Sequence, residues 1–239
     1  MSQRSIVMMS GLATRKAFDD EIFAAFEKES GVSVTPIFDP TVQLLRRIEA
    51  HEHFDVLIGA TPSFDDLIAR GLVAANPAPI VRTGIGLAVG PGAEHPDIST
   101  REEFIKTLTS ARSVAYSRTG QSGIYFVELV TRLGLADVVL PKATVLEKGF
   151  TATALLSGEA DIAVQQLSEL MFVPEAEIVG ALPEELQRWT EFSAGIAVDS
   201  ANNPDVQAFV DYITGPKASP AYRATALEPV GANAGVSQP

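Results

Sequence analysis

The chain opens with an apolar run that ends in small polar residues and passes at once into an amphipathic helical pattern. The run is Ser5–Leu12, and the pattern after it places large apolar residues at spacings of three and four, at Phe18, Ile22, Phe23 and Phe26. A strand that leads directly into a helix presents the first N–H groups of that helix at the end of the strand. The opening therefore predicts an α/β fold whose first turn can bind a small anion.

The same order of strand, turn and helix recurs twice in the next sixty residues. Val32–Phe38 alternates like a strand and is followed by a helix that begins near Thr41, and Phe54–Ile58 leads to a small-residue turn before Pro62. Successive units of this kind predict a mostly parallel sheet, in which the carboxyl ends of the strands meet at one edge. We expect the following residues to converge there as ligand contacts: Ser10, Gly11, Thr41, Ala60 and Thr61.

A second series of strands and helices begins after residue 83. Gly84–Pro91 reads as a strand that leaves the first block, and Ser99 with Glu102 forms a capping-box pattern that introduces a helix. Strands are expected at residues 113–116, 144–146 and 161–165, and a strand near 192–198 returns the chain to the first block. This order predicts two α/β lobes joined by two crossover strands, with residues 1–82 and 197–239 in lobe I and residues 83–196 in the inserted lobe II.

Composition narrows the possible partners. The net charge is −12 and the 18 lysines and arginines are scattered along the chain, whereas nucleic acids and anionic membranes require a basic stripe. The chain has no cysteine, which excludes disulfides, thiolate metal sites and a cysteine nucleophile. No window approaches the roughly 18 apolar residues of a membrane-spanning helix. We expect no nucleic-acid partner and no membrane insertion.

Two expectations about cellular location follow from the first residues. Met1–Arg4 lead into the first strand without the charged and then apolar pattern of a secretion signal, which predicts a cytoplasmic protein as written. A mature exported chain in which a start methionine replaces the signal peptide would have the same sequence and would be periplasmic.

Motifs for metals and cofactors are weak in this chain. His51 and His53 follow a helix in a surface loop with no third ligand nearby, and His95 precedes a proline in another loop. Gly84 and Gly86 lack the third glycine of a dinucleotide-binding turn. No nucleophile elbow and no phosphate-binding loop sequence is present. We therefore predict neither a metal nor a cofactor.

The order of motifs resembles the type II periplasmic solute-binding proteins, and within them the molybdate-binding branch. The residues that carry the resemblance run nearly from end to end: Met9–Leu12, Phe38–Ala50, Phe54–Ala60, Ser122–Tyr125, Gly158–Val164 and Asp211–Pro216. The resemblance implies a ligand enclosed in a cleft between the two lobes and held by hydroxyl and main-chain N–H groups. Carried over to this sequence, the contacts fall at Ser10, Gly11, Thr41 and Ala60 in lobe I, and at Ser122 and Phe150–Thr151 in lobe II.

The chain departs from the pattern of that branch at three contacts. Gly11 occupies the place of a serine, Asp39–Val42 replaces a serine-rich turn, and Gln165 stands where a tyrosine is expected. Cationic and amide side chains lie near the predicted turns instead, at Arg15, Lys16, Arg118, Gln121 and Lys148. Guanidinium groups bind carboxylates through paired hydrogen bonds, so an organic di- or tricarboxylate joins an inorganic oxyanion as a candidate ligand. Arg15 and Lys16 can equally be solvent-facing helix charges.

Two functions remain open at this stage. The first is a non-catalytic, monomeric anion receptor of the solute-binding class, with a permease of an ABC transporter as its partner if the protein is exported. The second is a cytoplasmic isomerase of an unsaturated tricarboxylate, because the resemblance extends to the aconitate isomerases. That reaction needs a base that removes an allylic proton and an acid that returns it, for which Asp39, Lys148 or Tyr125 could serve.

Overall fold

A computed structural model describes residues 4–231 and divides the chain into two α/β units. The first unit comprises residues 1–82 and 190–239, and the second comprises residues 83–189. The first unit resumes at Thr190 because the strand Thr190–Ile196 pairs with Val56–Ala60 in the sheet of that unit. The sequence had placed this boundary at residue 197.

The first unit contains a six-stranded mixed sheet. Its strands are β1 (Arg4–Ser10), β2 (Val32–Phe38), β3 (Val56–Ala60), β4 (Ala78–Thr83), β10 (Thr190–Ile196) and β11 (Glu228–Pro229). They lie in the order β11-β4-β10-β3-β1-β2. β1 runs parallel to β2 and β3, whereas β10 is antiparallel to β3. Strand β4 is an addition to the sequence analysis, which predicts no strand at residues 78–83.

The helices of the first unit follow the expected order. They are α1 (Arg15–Ala17), α2 (Phe23–Ser30), α3 (Thr41–Glu49), α4 (Phe64–Ala69), α10 (Pro204–Thr214) and α11 (Ser219–Ala224). A 3-10 turn at Leu12–Thr14 precedes α1, and a π-helical turn at Phe18–Ile22 joins α1 to α2. Further 3-10 turns lie at Thr61–Ser63 and Val198–Ser200.

The second unit contains a five-stranded mixed sheet. Its strands are β5 (Ile85–Val89), β6 (Val114–Ser117), β7 (Thr144–Leu146), β8 (Ile162–Gln166) and β9 (Glu177–Ala181), in the order β7-β6-β8-β5-β9. Its helices are α5 (Arg101–Ser110), α6 (Gln121–Arg132), α7 (Ala136–Val139), α8 (Thr153–Leu156) and α9 (Leu167–Leu170), with 3-10 turns at Leu140–Lys142 and Glu184–Leu186. The N-cap of α5 is Thr100, whose side chain accepts the N–H of Glu103, one residue later than the capping box predicted.

Each sheet is covered on both faces, which explains the continuous apolar runs of the central strands. Successive side chains of a strand point to opposite faces. Met8 accordingly packs in the cluster that contains Phe18 and Phe209, whereas Met9 packs with Leu44 and Phe64 on the other face. The predicted two-unit α/β architecture is thus confirmed, and it places the strand-to-helix turns of each unit at one edge of its sheet.

Candidate functional site

In the first unit, the carboxyl ends of three strands lie at the same level of the sheet. Ser10 at the end of β1 is aligned with Phe38 in β2 and with Ile58 in β3. The turns that follow these strands begin helical segments at Leu12, Thr41 and Thr61. The structure therefore brings Ser10, Gly11, Thr41, Ala60 and Thr61 to one edge of this sheet.

The Ser10 hydroxyl is engaged within its own turn. Ser10 is fully buried, and its Oγ lies 2.8 Å from the Thr14 Oγ1 and 3.2 Å from the Gly11 carbonyl oxygen. The N–H of Gly11 donates to the carbonyl of Ile58 at 3.1 Å. Gly11 was expected to contact the ligand, but its N–H is hydrogen-bonded within the sheet. Thr14, which the sequence analysis did not single out, is a member of this hydroxyl pair.

The turn after β2 carries a carboxylate that is neutralised by an arginine. Asp39 is buried, and its Oδ2 accepts a 2.7 Å hydrogen bond from Arg47 Nε. The Arg47 Nη1 also contacts both oxygens of Glu52, at 2.9 and 2.8 Å. Hydrogen bonds to Glu52 and then to Asp39 raise the pKa of Arg47 above its ordinary value. Thr41 follows as the half-buried first residue of α3, without a side-chain cap before it.

The turn after β3 is joined to the returning strand β10. The Thr61 Oγ1 lies 2.8 Å from the Oγ of Ser193, which is fully buried and aligned with Gly59. The same hydroxyl donates to the carbonyl of Glu191 at 3.2 Å. Ser193 is a polar residue that the sequence analysis missed, although it lies between the apolar residues Phe192 and Ala194 of β10.

Arg15 and Lys16 form ion pairs along their own helical segment. The Arg15 Nε lies 3.0 Å from Asp19 Oδ2, and the Lys16 Nζ lies 3.0 Å from Asp20 Oδ2. The Arg15 guanidinium also lies 5.4 Å from the centre of the Phe38 ring, at the end of β2. These contacts fit the alternative of solvent-facing helix charges.

The second unit gathers its turns in the same way. β6 runs parallel to β7 and β8, with Ser117 aligned to Leu146 and Ala115 aligned to Ala163. The turns that follow these three strands therefore start at one edge of the second sheet. These turns and the start of α6 contain five predicted contacts of this unit: Arg118, Gln121, Ser122, Lys148 and Thr151. The sixth, Gln165, is the fourth residue of β8 itself.

Ser122 is the second residue of α6 and holds a hydroxyl with no acceptor. The residue is 1% exposed, and its Oγ has no hydrogen-bond partner among residues 4–231. The N-cap residue Gly120 offers no side-chain cap, and the first N–H groups of a helix have no acceptor within it. Free donors and the positive end of the helix dipole thus coincide at the start of a 12-residue helix.

Gly123 explains why this helix begins so close to the strand before it. A Cβ atom at Gly123 would lie 1.5 Å from the carbonyl oxygen of Ser117, the last residue of β6. Only glycine allows this approach of two backbone segments. The close contact fixes the position of Ser122 at the end of the strand.

Thr151 and Gln165, both predicted ligand contacts, bind each other. Thr151 donates its N–H to the Gln165 Oε1 at 2.7 Å and its hydroxyl to the same atom at 3.0 Å. The Gln165 Nε2 donates to the Gly149 carbonyl at 3.1 Å. Both side chains are buried, so Gln165 anchors the turn at residues 149–151.

Three polar residues in the turn after β6 and the turn after β7, Arg118, Gln121 and Lys148, are more exposed than Thr151 and Gln165. Arg118 is exposed, and its Nε lies 3.2 Å from Glu147 Oε1. Thr119 is buried and donates its hydroxyl to the Glu147 carbonyl. Gln121 is half-buried and Lys148 is exposed. Arg118 and Lys148 therefore provide cationic groups at this edge that solvent can reach.

Tyr125, a candidate acid, is a packed residue of the second core. Its hydroxyl donates to the Leu186 carbonyl at 2.8 Å and accepts from Arg132 at 3.2 Å. The Arg188 guanidinium lies 4.3 Å from the centre of its ring. These contacts give Tyr125 a structural role within the second unit.

Two polar residues after β8 were not predicted from the sequence. Ser168 is 1% exposed and its Oγ has no hydrogen-bond partner in the described part of the chain. Glu169 is buried beside it, and desolvation raises the pKa of its carboxyl to about 8. Neither residue belongs to a recognisable motif, because their burial comes from the packing of the short helix α9.

The histidines do not form a metal centre. The His95 Nε2 lies 2.9 Å from Glu177 Oε2, and the His53 Nε2 lies 3.6 Å from Asp55 Oδ1. Within residues 4–231, no three or more histidine, aspartate or glutamate side chains are grouped so that they could hold a metal ion. In the same range, no helix combines the length and the apolar character needed to cross a bilayer.

The fold and the two sets of turns define a solute-binding protein. Residues 6–226 match the family model described as bacterial extracellular solute-binding protein, and the chain belongs to that family. This finding confirms the predicted resemblance.

The individual relatives include an isomerase and molybdate-binding proteins. The chain is 32% identical to an aconitate isomerase of Pseudomonas sp. over 217 residues, which cover 88% of this chain and 82% of the relative. It is 25% identical to the molybdate-binding protein ModA of Escherichia coli K12 over 224 residues, covering 91% and 86%. The solved periplasmic molybdate-binding protein of Azotobacter vinelandii superposes with a TM-score of 0.75 at 17% identity, covering 93% of this chain and 98% of that one.

Proposed function

We propose that this protein binds a small anion, either an inorganic oxyanion or an organic carboxylate, through the hydroxyl and N–H groups of the described turns. One observation carries the proposal. The buried Ser122 hydroxyl has no acceptor in the described chain and lies at the start of α6. A buried donor left without a partner costs about 1–3 kcal/mol, which an anionic acceptor would recover.

Charge supports recognition by neutral donors rather than by a basic cluster. The chain carries a net charge of −12, and two of the arginines beside the turns face carboxylates. Arg47 contacts Asp39, and Arg118 contacts Glu147.

The ion pair of Arg118 and Glu147 is exposed and therefore contributes little to stability. Arg118 can thus exchange Glu147 for a ligand carboxylate at small cost.

A role as a receptor also implies a location and a partner. The family consists of extracellular solute-binding proteins. We therefore propose that the protein acts outside the cytoplasmic membrane, as a monomer that delivers its anion to a permease of an ABC transporter. Fractionation of the native host tests the location, because a protein confined to the cytoplasmic fraction would contradict it.

Anions should stabilise the purified protein against heat. The panel comprises molybdate, tungstate, sulfate, phosphate, citrate, cis-aconitate and trans-aconitate. A ligand at about 100 times its dissociation constant should add roughly 2.7 kcal/mol to the free energy of unfolding. Thermal shifts across a concentration series give the dissociation constants, and the absence of any shift at millimolar concentrations would contradict the proposal.

Replacement of Ser122 by alanine should separate binding from folding. We expect affinity for the stabilising anion to fall by about tenfold or more, because a hydrogen bond to a charged group contributes about 1.5–3 kcal/mol. Stability without ligand should stay equal or rise, since the variant removes a buried hydroxyl that has no partner.

Ser113→Ala is the matched control for this substitution. Ser113 is also buried, precedes β6 at the other end of the strand, and has its Oγ 2.8 Å from the Thr144 Oγ1. The control should lose stability and keep its affinity. If Ser122→Ala and the wild type bound the anion with equal affinity, Ser122 would not be a ligand contact.

Isomerisation of an unsaturated tricarboxylate is the second candidate, and it is supported by the 32% identity to an aconitate isomerase over most of both chains. Among the acid–base candidates, the Asp39 carboxylate is paired with Arg47 and the Tyr125 hydroxyl is bound to Leu186. Lys148 is the candidate on an exposed turn. For an isomerase, we propose Lys148 as the group that carries the allylic proton.

Incubation of the purified protein with cis-aconitate, followed by proton NMR, tests this activity. An isomerase would convert the substrate into a mixture with trans-aconitate without loss of material. Lys148→Ala should then reduce the rate by about 10²-fold or more, which is the usual contribution of general acid–base catalysis. Lys106→Ala, at an exposed lysine paired with Glu103, should keep the full rate. Binding of aconitate without conversion would leave the receptor as the function.

A further inference from the structure

Ser168 is a second buried serine of the second unit whose hydroxyl is not hydrogen-bonded. It is 1% exposed, and its Oγ has no partner among residues 4–231. A hydroxyl carries one donor hydrogen, and a buried donor without an acceptor costs free energy that a bound ligand recovers. The proposed binding function uses Ser122 for this reason and does not yet use Ser168.

The two serines occupy equivalent places after neighbouring strands. Ser122 is the second residue of α6, which follows β6, and Ser168 is the second residue of α9, which follows β8. β6 and β8 are adjacent and parallel, with Val114 aligned to Ile162. Because adjacent strands lie about 4.8 Å apart, the two turns start side by side at the carboxyl edge of the sheet.

The chain leaves these two strands in opposite directions. From β6 it passes through α6 and α7 to β7 on one side, and from β8 it passes through α9 to β9 on the other side. Tyr125 of α6 accordingly packs in the cluster that contains Val164, whereas Leu170 of α9 packs with Ala163 on the opposite face. A reversal of this kind leaves a crevice at the ends of the two strands, where open α/β sheets bind their ligands.

Packing fixes α9 at this edge of the sheet. The N–H of Leu167 donates to the Gly84 carbonyl at 3.0 Å. The Leu167 side chain lies against Gly86 of β5, where a Cβ atom would overlap it. Ser168 follows Leu167 directly and is therefore held beside the end of β8. Since α9 has only four residues, the hydroxyl itself rather than a helix end supplies the donor.

Ser168 also supplies a donor where the predicted one is already engaged. The sequence analysis placed a ligand contact at Gln165, but its Oε1 accepts both the N–H and the hydroxyl of Thr151, at 2.7 and 3.0 Å. The Gln165 Nε2 donates to the Gly149 carbonyl at 3.1 Å. The amide of Gln165 thus bonds to the turn at residues 149–151, and the hydroxyl three residues later is left for a ligand.

We propose that Ser168 is a ligand contact of the anion site: its hydroxyl and that of Ser122 donate from the two sides of the crevice to different oxygen atoms of one bound anion. The inference rests on the proposed anion-binding function. A ligand of this site therefore presents at least two acceptor oxygens, as tetrahedral oxyanions and carboxylates do. Sites for small ligands bury most of the ligand surface, so buried donors suit this role.

Isothermal titration calorimetry with the anions of the thermal panel tests the contact. Ser168→Ala should bind the stabilising anion about tenfold or more weakly than the wild type, because it loses a hydrogen bond to a charged group. The double variant of Ser122→Ala and Ser168→Ala should bind more weakly than either single variant. Ser113→Ala, at a buried serine at the other end of β6, should keep the affinity of the wild type.

The stability of the ligand-free protein separates a ligand contact from a structural role. Urea unfolding of Ser168→Ala should give a midpoint equal to or above that of the wild type, because the variant removes a buried hydroxyl without a partner. Ser113→Ala should lower the midpoint, since its Oγ lies 2.8 Å from the Thr144 Oγ1. A lower midpoint in Ser168→Ala would show that the hydroxyl is bonded within the fold and would overturn the proposal.

The results distinguish this inference from the proposed function. Unchanged affinity in Ser168→Ala, with weaker binding in Ser122→Ala, would overturn the role of Ser168 and leave the anion-binding function standing. If no anion stabilises the wild type, anion binding fails and the role of Ser168 falls with it. Should Ser168→Ala not fold, Ser168→Cys decides the question, because a thiol is a weak donor and the affinity should again fall.

Discussion

Replacement of Gly123 by alanine is expected to lower the free energy of unfolding by about 3 kcal/mol, a large effect for the addition of one methyl group. The new Cβ would lie 1.5 Å from the Ser117 carbonyl oxygen, which is part of the backbone and cannot rotate away. The first turn of α6 must therefore move off the end of β6. Because Ser122 lies in this turn, anion affinity should fall together with stability.

Urea unfolding followed by circular dichroism measures the effect of Gly123→Ala. The control is Gly59→Ala, at a strand position where a Cβ would have Phe64 at 3.7 Å as its nearest neighbour. We expect the control to change the free energy of unfolding by less than about 0.5 kcal/mol, as is usual for a substitution without a clash. A loss below about 1 kcal/mol in Gly123→Ala would mean that α6 and β6 are not in close backbone contact.

Replacement of Glu169 by glutamine should remove a large pH dependence of stability. The pKa of Glu169 is about 8 in the folded protein and 4.5 in the unfolded chain. Between these values the folded state holds a proton that the unfolded state has lost, so stability from this group is complete below pH 4.5 and is lost as the pH rises to 8. From pH 5 to pH 8 the stability of Glu169→Gln should therefore increase by about 4 kcal/mol relative to that of the wild type.

Unfolding free energies of the two proteins at several values of pH give this difference directly. Ser168→Ala is the control, because it changes the neighbouring buried residue without removing a titratable group. Its difference from the wild type should stay constant with pH. A constant difference for Glu169→Gln as well would show that Glu169 is ionised in the folded protein.

Much of the fold could be predicted because local sequence patterns specify its strands and helices. The strand at Val32–Phe38 was predicted with the bounds that the structure gives. The run at the start of the chain is apolar at consecutive positions because β1 is covered on both faces, by clusters that contain Met8 and Met9 respectively. Strand β4 was missed because Pro79, its second residue, is typical of a loop; β11 pairs with Val81 and Arg82, further along the strand than this proline.

The position of the candidate contacts was also predictable, but their hydrogen bonds were not. A residue that follows a parallel strand must lie at the carboxyl edge of the sheet, which places Ser10, Thr61 and Ser122 from sequence alone. The hydrogen-bond partners of their hydroxyl groups are set by the tertiary structure. Ser10 pairs with Thr14, Thr61 pairs with Ser193 from the returning strand, and Ser122 has no partner in the described residues.

The order of the motifs carried the resemblance to the family, and the sequence by itself determined the α/β class and the edge of the sheet at which each turn lies. These properties depend on periodicity and on glycine, proline and small-residue turns, which act over a few neighbouring residues. Tertiary structure alone decided that Gln165 binds Thr151, that Asp39 is paired with Arg47, and that Glu169 is buried. The physical reason is that hydrogen bonding and desolvation depend on which side chains packing brings together, and no local pattern records those neighbours.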